Sequence, residues 1–191
     1  MRQTVFFVKS SENVPGCPCC GGQLRYRDSR LRIRKHEGGD RDFLSIRRFR
    51  CTSCESYHNE LPDVLLPYKH YESEVISGVI DEIVTPHDQD SEDYPSVSTM
   101  LYWLRWFQQN AANIEGYLRN AGYSILGLGK DILFADQSLL EAVRKKYLNW
   151  LEKAIRIIYN SGGFLPAFYS FSFPAFCKKT VSGLPFSSCF V

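Results

Sequence analysis

The chain lacks the signatures on which most enzyme assignments rest. It has no G-x-x-x-x-G-K-[ST] loop to cradle a phosphate and no G-x-S-x-G elbow to expose a nucleophile. Its four histidines, His36, His58, His70 and His87, are scattered rather than grouped with a nucleophile. The carboxylates between Asp88 and Asp93 miss the glycine and the terminal glutamate that a calcium-binding loop needs at fixed positions. They read as a solvated connector. There is no internal repeat, and no apolar run long enough to span a bilayer: the uncharged stretch from Ser161 to Cys177 is broken by Pro166 and Pro174. The N-terminal run Met1 to Lys9 has too short an apolar segment and no small-residue cleavage site for a secretory signal, and reads as a first strand. A cytoplasmic, non-enzymatic protein with no membrane segment is the expectation.

What is present is concentrated. Of seven cysteines, four fall in two C-x-x-C pairs, Cys17 with Cys20 and Cys51 with Cys54. Two such pairs supply four soft thiolates, the donor set of a closed, tetrahedral structural zinc site, and such a site leaves no open position for catalysis. Gly21 and Gly22 suit a metal-wrapping turn because glycine accepts positive φ. Cys19 lies between the expected ligands and could replace one of them. His58, four residues beyond Cys54, is a weaker substitute, read as a surface histidine. Clustered thiols in a chain without export information favour a reducing compartment, where such pairs hold metal rather than form disulfides. Cys177 and Cys189 read as isolated thiols.

Charge is unevenly distributed although the formal net charge is only +2. From Gln23 to Arg50 ten basic residues face four acidic ones, a local charge of +6. From Lys69 to Pro95 eight acidic residues face one lysine, a local charge of −7. A basic segment followed by an acidic one predicts a polyanion partner for the first and a hydrated connector for the second.

The expected fold is α+β. Residues 1–68 form a β-rich zinc ribbon, with Leu24, Tyr26, Leu31 and Ile33 alternating against arginines, a turn at Glu37-Gly38-Gly39-Asp40 and a return strand over Phe43 to Phe49. One face of that hairpin is predicted to be apolar and the other lined with guanidinium groups. Pro62 and Pro67 stiffen an apolar connector that should pack the ribbon against the next part of the chain. Residues 69–160 form a helical domain: a helix from Tyr71 to Val84, one from the Ser96 region to about Asn120 ended by Gly122, and a third from Asp136 or Ser138 to about Tyr159. In the second helix Val97, Leu101 and Leu104 are expected to face the core. Ser98, Thr99, Tyr102 and Arg105 then face outward as candidate base contacts, and Arg47, Arg48, Arg50 and Lys69 are candidate phosphate contacts. Ile125 to Gly129 reads as a glycine-rich turn, and residues 161–191 as an aromatic tail broken by glycine and proline.

Three runs carry a family resemblance: Cys17-Pro18-Cys19-Cys20-Gly21-Gly22; Arg48-Phe49-Arg50-Cys51-Thr52-Ser53-Cys54; and Leu61-Pro62 with Leu65-Leu66-Pro67-Tyr68-Lys69-His70-Tyr71. Together they resemble the N-terminal part of insertion-sequence transposases, in which a zinc ribbon precedes a helix-turn-helix that binds element ends. They are more closely similar to a bacterial family, met near mobile elements, that keeps this front half without the nuclease domain. The resemblance covers about residues 15–120. It implies that Cys17, Cys20, Cys51 and Cys54 are the zinc ligands and that the helix from Ser96 is the recognition helix of a degenerate helix-turn-helix. The implied function is DNA binding as an accessory or regulatory protein of a mobile element. Two other readings remain: a protein-interaction adaptor using the aromatic C-terminal half, and an RNA-binding ribbon.

Overall fold

The computed structural model describes residues 4–8, 14, 16–88, 95–124, 136–166 and, for the backbone, 189–190. A mixed sheet is followed by helices, an α+β arrangement. Strand β3 (Arg41–Cys51) is the centre of the sheet. The long strand β2 (Leu24–Lys35) runs antiparallel along one of its edges. The other edge is shared: β1 (Val5–Phe7) pairs in parallel with Phe43 to Ser45, and β4 (Tyr57–Leu61) pairs antiparallel with Arg48 to Arg50. A two-residue strand β5 (Cys189–Phe190) adds to Glu60 and Leu61. The β2–β3 turn closes where the sequence predicts, with Gly39 at φ 77° and the His36 N–H donating to the Asp40 carbonyl at 2.9 Å.

The alternation expected of β2 holds along its length: Leu24, Tyr26, Leu31 and Ile33 oppose Cys51, Phe49, Ser45 and Phe43 on one face, while Arg25, Arg30, Arg32 and Arg34 oppose residues of the other face. Arg25 opposes Arg50 and Tyr26 opposes Phe49, and an irregularity between Tyr26 and Asp28 inserts Arg27 as an extra residue. A bulge of one residue exchanges the faces of odd and even positions after it. Arg30 and Arg32 therefore oppose Ile46 and Leu44, whose side chains are buried. Leu31, on the opposite face, is exposed. Arg32 and Arg34 thus lie where this face packs on the connector and helical part, while Arg30 on the same face stays exposed. Arg32 donates to the Lys69 carbonyl at 2.9 Å, and Arg34 grips Asp42 with two nitrogens at 2.9 and 2.5 Å. Arg34 and His36 also reach Glu72, which tethers the hairpin to the chain entering the first helix.

The connector then buries Leu61, Leu65 and Leu66. Helix α1 (Ser73–Ile80) stops four residues short of the expected Val84, because Glu82 adopts φ 58° and the Gly78 carbonyl accepts from Ile83 and Val84. Helix α2 (Val97–Ser124) is longer than expected and runs through Gly122. Its inward stripe is Met100, Trp103, Trp106, Asn110, Ile114, Leu118 and Ala121, at helical spacing. The expectation for Val97 and Leu101 is corrected: both are exposed, because the three-residue step through the large rings sets the buried face.

The expected third helix is two helices, α3 (Leu139–Lys146) and α4 (Trp150–Asn160), separated by Tyr147 in an extended conformation. Both ends of α3 are held from other elements. At its start Glu115 of α2 accepts the Leu139 and Leu140 N–H groups at 2.9 and 2.8 Å and the Ser138 hydroxyl at 2.9 Å, covering donors that a helix start leaves unpaired. Near its end Arg144 donates to Asp81 just beyond α1, and the same carboxylate accepts the Trp150 indole N–H at 2.7 Å. Helix α4 is central, with Trp150, Leu151, Ala154, Ile155, Ile158 and Tyr159 all buried.

One apolar core joins Leu44 and Ile46 of the sheet to the connector and all four helices. A second, small cluster of Leu24, Phe49, Cys17 and Cys51 lies at the far end of the sheet. Among the described residues no helix is long and apolar enough to cross a membrane. The turn expected at residues 125–129 lies outside the described residues, as do 89–94 of the acidic run and 167–188 of the tail.

Glu115 yields a pH-dependent prediction. Burial raises its pKa, but the Leu140 and Leu139 N–H groups, Ser138 and Arg119 outweigh it and hold the value below the ordinary 4.5. The cap therefore contributes fully above that value and is lost as pH falls through the lower folded-state value. Glu115→Ala should cost about 1–2 kcal/mol near neutral pH, and the difference from wild type should vanish in strongly acidic urea melts.

Candidate metal centre and basic sheet face

Two tight turns bring the cysteine pairs together. In the first, the Cys17 N–H donates to the Gly22 carbonyl at 2.8 Å and the Gly21 N–H to the Cys17 carbonyl at 2.7 Å. Gly21 takes φ 72° as expected. Gly22 is needed for space instead: a Cβ there would lie 2.5 Å from the Ser53 hydroxyl and 3.0 Å from the Cys51 sulfur. In the second turn β3 ends at Cys51, whose N–H donates to the Ser56 carbonyl at 2.9 Å, while Glu55 adopts φ 61°. Backbone N–H groups point at sulfur in both turns, Gly22 to Cys20 at 3.4 Å and Ser53 to Cys51 at 3.4 Å.

The four sulfurs of Cys17, Cys20, Cys51 and Cys54 lie within 4.8 Å of one another, with Cys17 to Cys54 at 3.7 Å and Cys20 to Cys51 at 3.5 Å. This is a four-thiol cluster able to hold a metal ion. Its thiols are electrostatically split. Burial raises Cys54, yet the Ser56 hydroxyl and N–H and two neighbouring cysteines bring it down to about 6. Cys51 is likewise raised by burial but lowered on balance by the Cys54 and Ser53 N–H groups. Burial drives Cys17 well above the usual thiol range. Four anionic sulfurs at this spacing repel one another, and a divalent cation at their centre removes the conflict.

His58 is not on the surface. Its pairing opposite Phe49 turns the ring inward, where it is 5% exposed and its Nε2 lies 3.2 Å from the Cys17 sulfur. Burial lowers its pKa, which favours the neutral ring. With Cys17 and Cys19 it forms a second group of closely spaced donors. A neutral imidazole donating its N–H to a ligand thiolate stiffens that ligand.

The basic residues divide by fate. Arg47 is committed to buried Glu60 by two bonds of 2.6 and 2.9 Å. Arg48 grips Asp28 at 2.7 and 2.5 Å. Arg50 meets Glu55 at 3.0 Å with both groups open to solvent, a weak pair. Arg25, Arg27 and Arg30 are exposed on the same end of the sheet. Lys69, expected at a phosphate, is buried instead: its ammonium lies 4.3 Å from the centre of the Tyr102 ring, 4.7 Å from that of Trp106 and 3.1 Å from the Tyr102 hydroxyl. The aromatic ring faces supply the attraction that water would otherwise provide.

The residues expected on an outward face of α2 do not act together. Ser98 and Thr99 hydrogen-bond with Ser96 at 3.1 and 3.0 Å around the helix start, and half-buried Tyr102 is held by Lys69. Arg105 is exposed. Among the described residues no compact helix-turn-helix turn precedes α2: α1 ends at Ile80, α2 begins at Val97, and residues 81–88 contain no helix. Tyr147 to Asn149 do join α3 to α4 with a three-residue turn. Yet no residue of α4 is fully exposed, so that helix presents no reading surface.

Residues 17–103 match the model of a domain of unknown function, DUF6431. The similarity spans both cysteine turns, strands β2 to β4, α1 and the first turns of α2, and brings no transposase or mobile-element association. No curated protein and no solved structure matches the chain.

Sequence reasoning passed over Tyr57, which stands in this patch between two arginines and is half exposed. The period-two pattern of Tyr57, His58, Asn59, Glu60 and Leu61 directly after the second cysteine pair was the available cue to a strand with one outward and one inward face.

Two outcomes are expected here. His58→Ala should weaken metal affinity about 10-fold or more in competition with a chromophoric chelator, whereas Cys51→Ser abolishes stoichiometric binding. Burial lowers the Lys69 amine from 10.5 to about 8. Between those values the unfolded chain holds a proton that the folded chain releases, so stability climbs with pH across that window. Lys69→Met should remove the climb without loss of stability at neutral pH, as denaturant melts at several pH values will show.

Proposed function

We propose that this chain is a zinc-stabilised DNA-binding protein without nuclease activity, acting as an accessory or regulatory protein of a mobile element. Cys17, Cys20, Cys51 and Cys54 hold one structural zinc, and the surrounding sheet is a zinc ribbon. Zinc–sulfur bonds of about 2.3 Å arranged tetrahedrally place sulfurs about 3.8 Å apart, in line with the 3.5 and 3.7 Å contacts across the cluster. The mobile-element role comes from the resemblance of the cysteine and Leu61-to-Tyr71 runs alone.

The observation that carries DNA binding is the cluster of guanidinium groups at the metal end of the sheet. Arg25, Arg27, Arg30, Arg48 and Arg50 surround Asp28 and Glu55. Asp28 shows the local field: its hydrogen bond to Arg48, with the charges of Arg48, Arg27 and Arg30, lowers its pKa although burial opposes. Arginine forks suit phosphate oxygens, and a phosphate can displace the exposed carboxylate of Glu55. The Ser96 helix takes no part in this reading.

A protein-interaction adaptor is the second reading, favoured by Val97 and Leu101 standing exposed on α2 and by Ile83 at 77% exposure. The two differ in salt response. Labelled DNA should bind the zinc-loaded chain with a slope of log K against log salt of about −3, reflecting three to four phosphates. The combined Arg25→Ala, Arg27→Ala and Arg50→Ala variant should lose most of that slope. Binding that ignores salt, or survives this triple variant, would count against the DNA reading.

A further inference from the structure

We infer that the guanidinium patch takes an unpaired strand of DNA, one base stacked on Tyr57 and the adjoining phosphates held by the arginines around it. The inference rests on the DNA reading above and names the form of nucleic acid that the patch selects. Tyr57 is 49% exposed although it belongs to a strand whose next residue, His58, is buried. Its ring lies beneath the Arg27 guanidinium, 4.6 Å from the centroid, with Arg50 at 5.9 Å. The arrangement is set by the register. Arg25, Arg50 and Tyr57 are successive partners across β2, β3 and β4, so all three side chains leave the sheet on one face. The bulge residue Arg27 reaches the same ring.

An exposed aromatic ring between guanidinium groups is a poor complement to a duplex. In paired DNA the faces of the bases are stacked on each other, leaving only groove edges and phosphates to meet a protein, and a flat sheet face enters neither groove deeply. An unpaired strand offers a base face and its phosphates together, and aromatic rings beside arginines bind that combination with little regard for sequence. The part of the Tyr57 ring that Arg27 and Arg50 leave exposed meets a base face only in the second case.

The patch also contains little that rewards RNA. Its carboxylates, Asp28 and Glu55, are engaged by Arg48 and Arg50 rather than directed to accept from a 2′-hydroxyl. Arg47 and Lys69 are outside the patch, bound to Glu60 and enclosed by aromatic rings respectively.

The test uses the zinc-loaded full chain and three labelled probes of one mixed sequence: single-stranded DNA, its duplex, and single-stranded RNA. Fluorescence anisotropy should show the DNA strand bound at least about tenfold more tightly than the duplex. Tyr57→Leu should weaken strand binding roughly five- to hundredfold, the range of one base–aromatic stack, while Tyr57→Phe and all duplex binding stay unchanged. Equal affinity for strand and duplex, an unchanged strand affinity in Tyr57→Leu, or tighter binding of the RNA would each overturn the inference. The first two leave salt-dependent DNA binding intact. Loss of binding to every probe would overturn the DNA reading as well. Without any variant, a strand carrying 5-iodouracil should photocrosslink at Tyr57, and mapping of the crosslink to Tyr68 or Phe164 would refute the site.

Discussion

The convergence of four sulfurs from two turns determines how the front of this protein is built. Among the described residues the small apolar cluster at that end buries Leu24, Phe49, Cys17 and Cys51, with Cys19, Cys20 and Cys54 packed against it, little surface to order the strands around it. An ion held there would supply what the cluster cannot, because the binding free energy of a closed thiolate site appears largely as folding free energy, typically about 10–16 kcal/mol. The consequences run outward in order. Fixing Cys51 fixes the end of β3, and with it the register in which Arg50 meets Arg25 and Tyr57. The basic face is therefore a product of the cysteine geometry.

Much of this was readable in the residues, and the reasons differ for what was not. The two cysteine pairs, the turn at Gly39 and the buried connector are local or spacing-determined, so sequence suffices for them. The alternation of β2 is kept by a one-residue bulge at Arg27, but periodicity does not show that its arginine face is the one that carries buried Leu44 and Ile46. The break at Tyr147 had the same character: the apolar pattern of 139–159 continues through it, while the Glu115 cap and the Asp81 bonds that hold α3 come from distant positions. The charge of Lys69 points to a phosphate contact. Its burial depends on Tyr102 and Trp106, more than thirty residues further along the chain.

The arginines illustrate why composition overstates a binding surface. Ten basic groups lie between Gln23 and Arg50, yet Arg34 and Arg47 are bound bidentately to Asp42 and Glu60 inside the fold and Arg32 braces the Lys69 carbonyl. Those side chains connect hairpin, connector and α1. Exposed guanidinium groups persist at the end remote from the helical core, where the sheet is covered on one face only. The division of labour follows position along the strand: Arg25, Arg30 and Arg32 share one face of the sheet, but Arg25 and Arg30 are exposed while Arg32 reaches the connector.

Gly162 gives the two ends of the molecule a shared mechanical fate. It lies just past α4 at φ 77°, and a Cβ on it would sit 2.8 Å from the carbonyl oxygen of Pro18 in the first cysteine turn. No side chain fits there, so the exit of the central helix rests directly on backbone that wraps the sulfurs. A slackening of that turn removes the wall against which α4 ends. Whatever orders the sulfur turn therefore also supports the exit of α4.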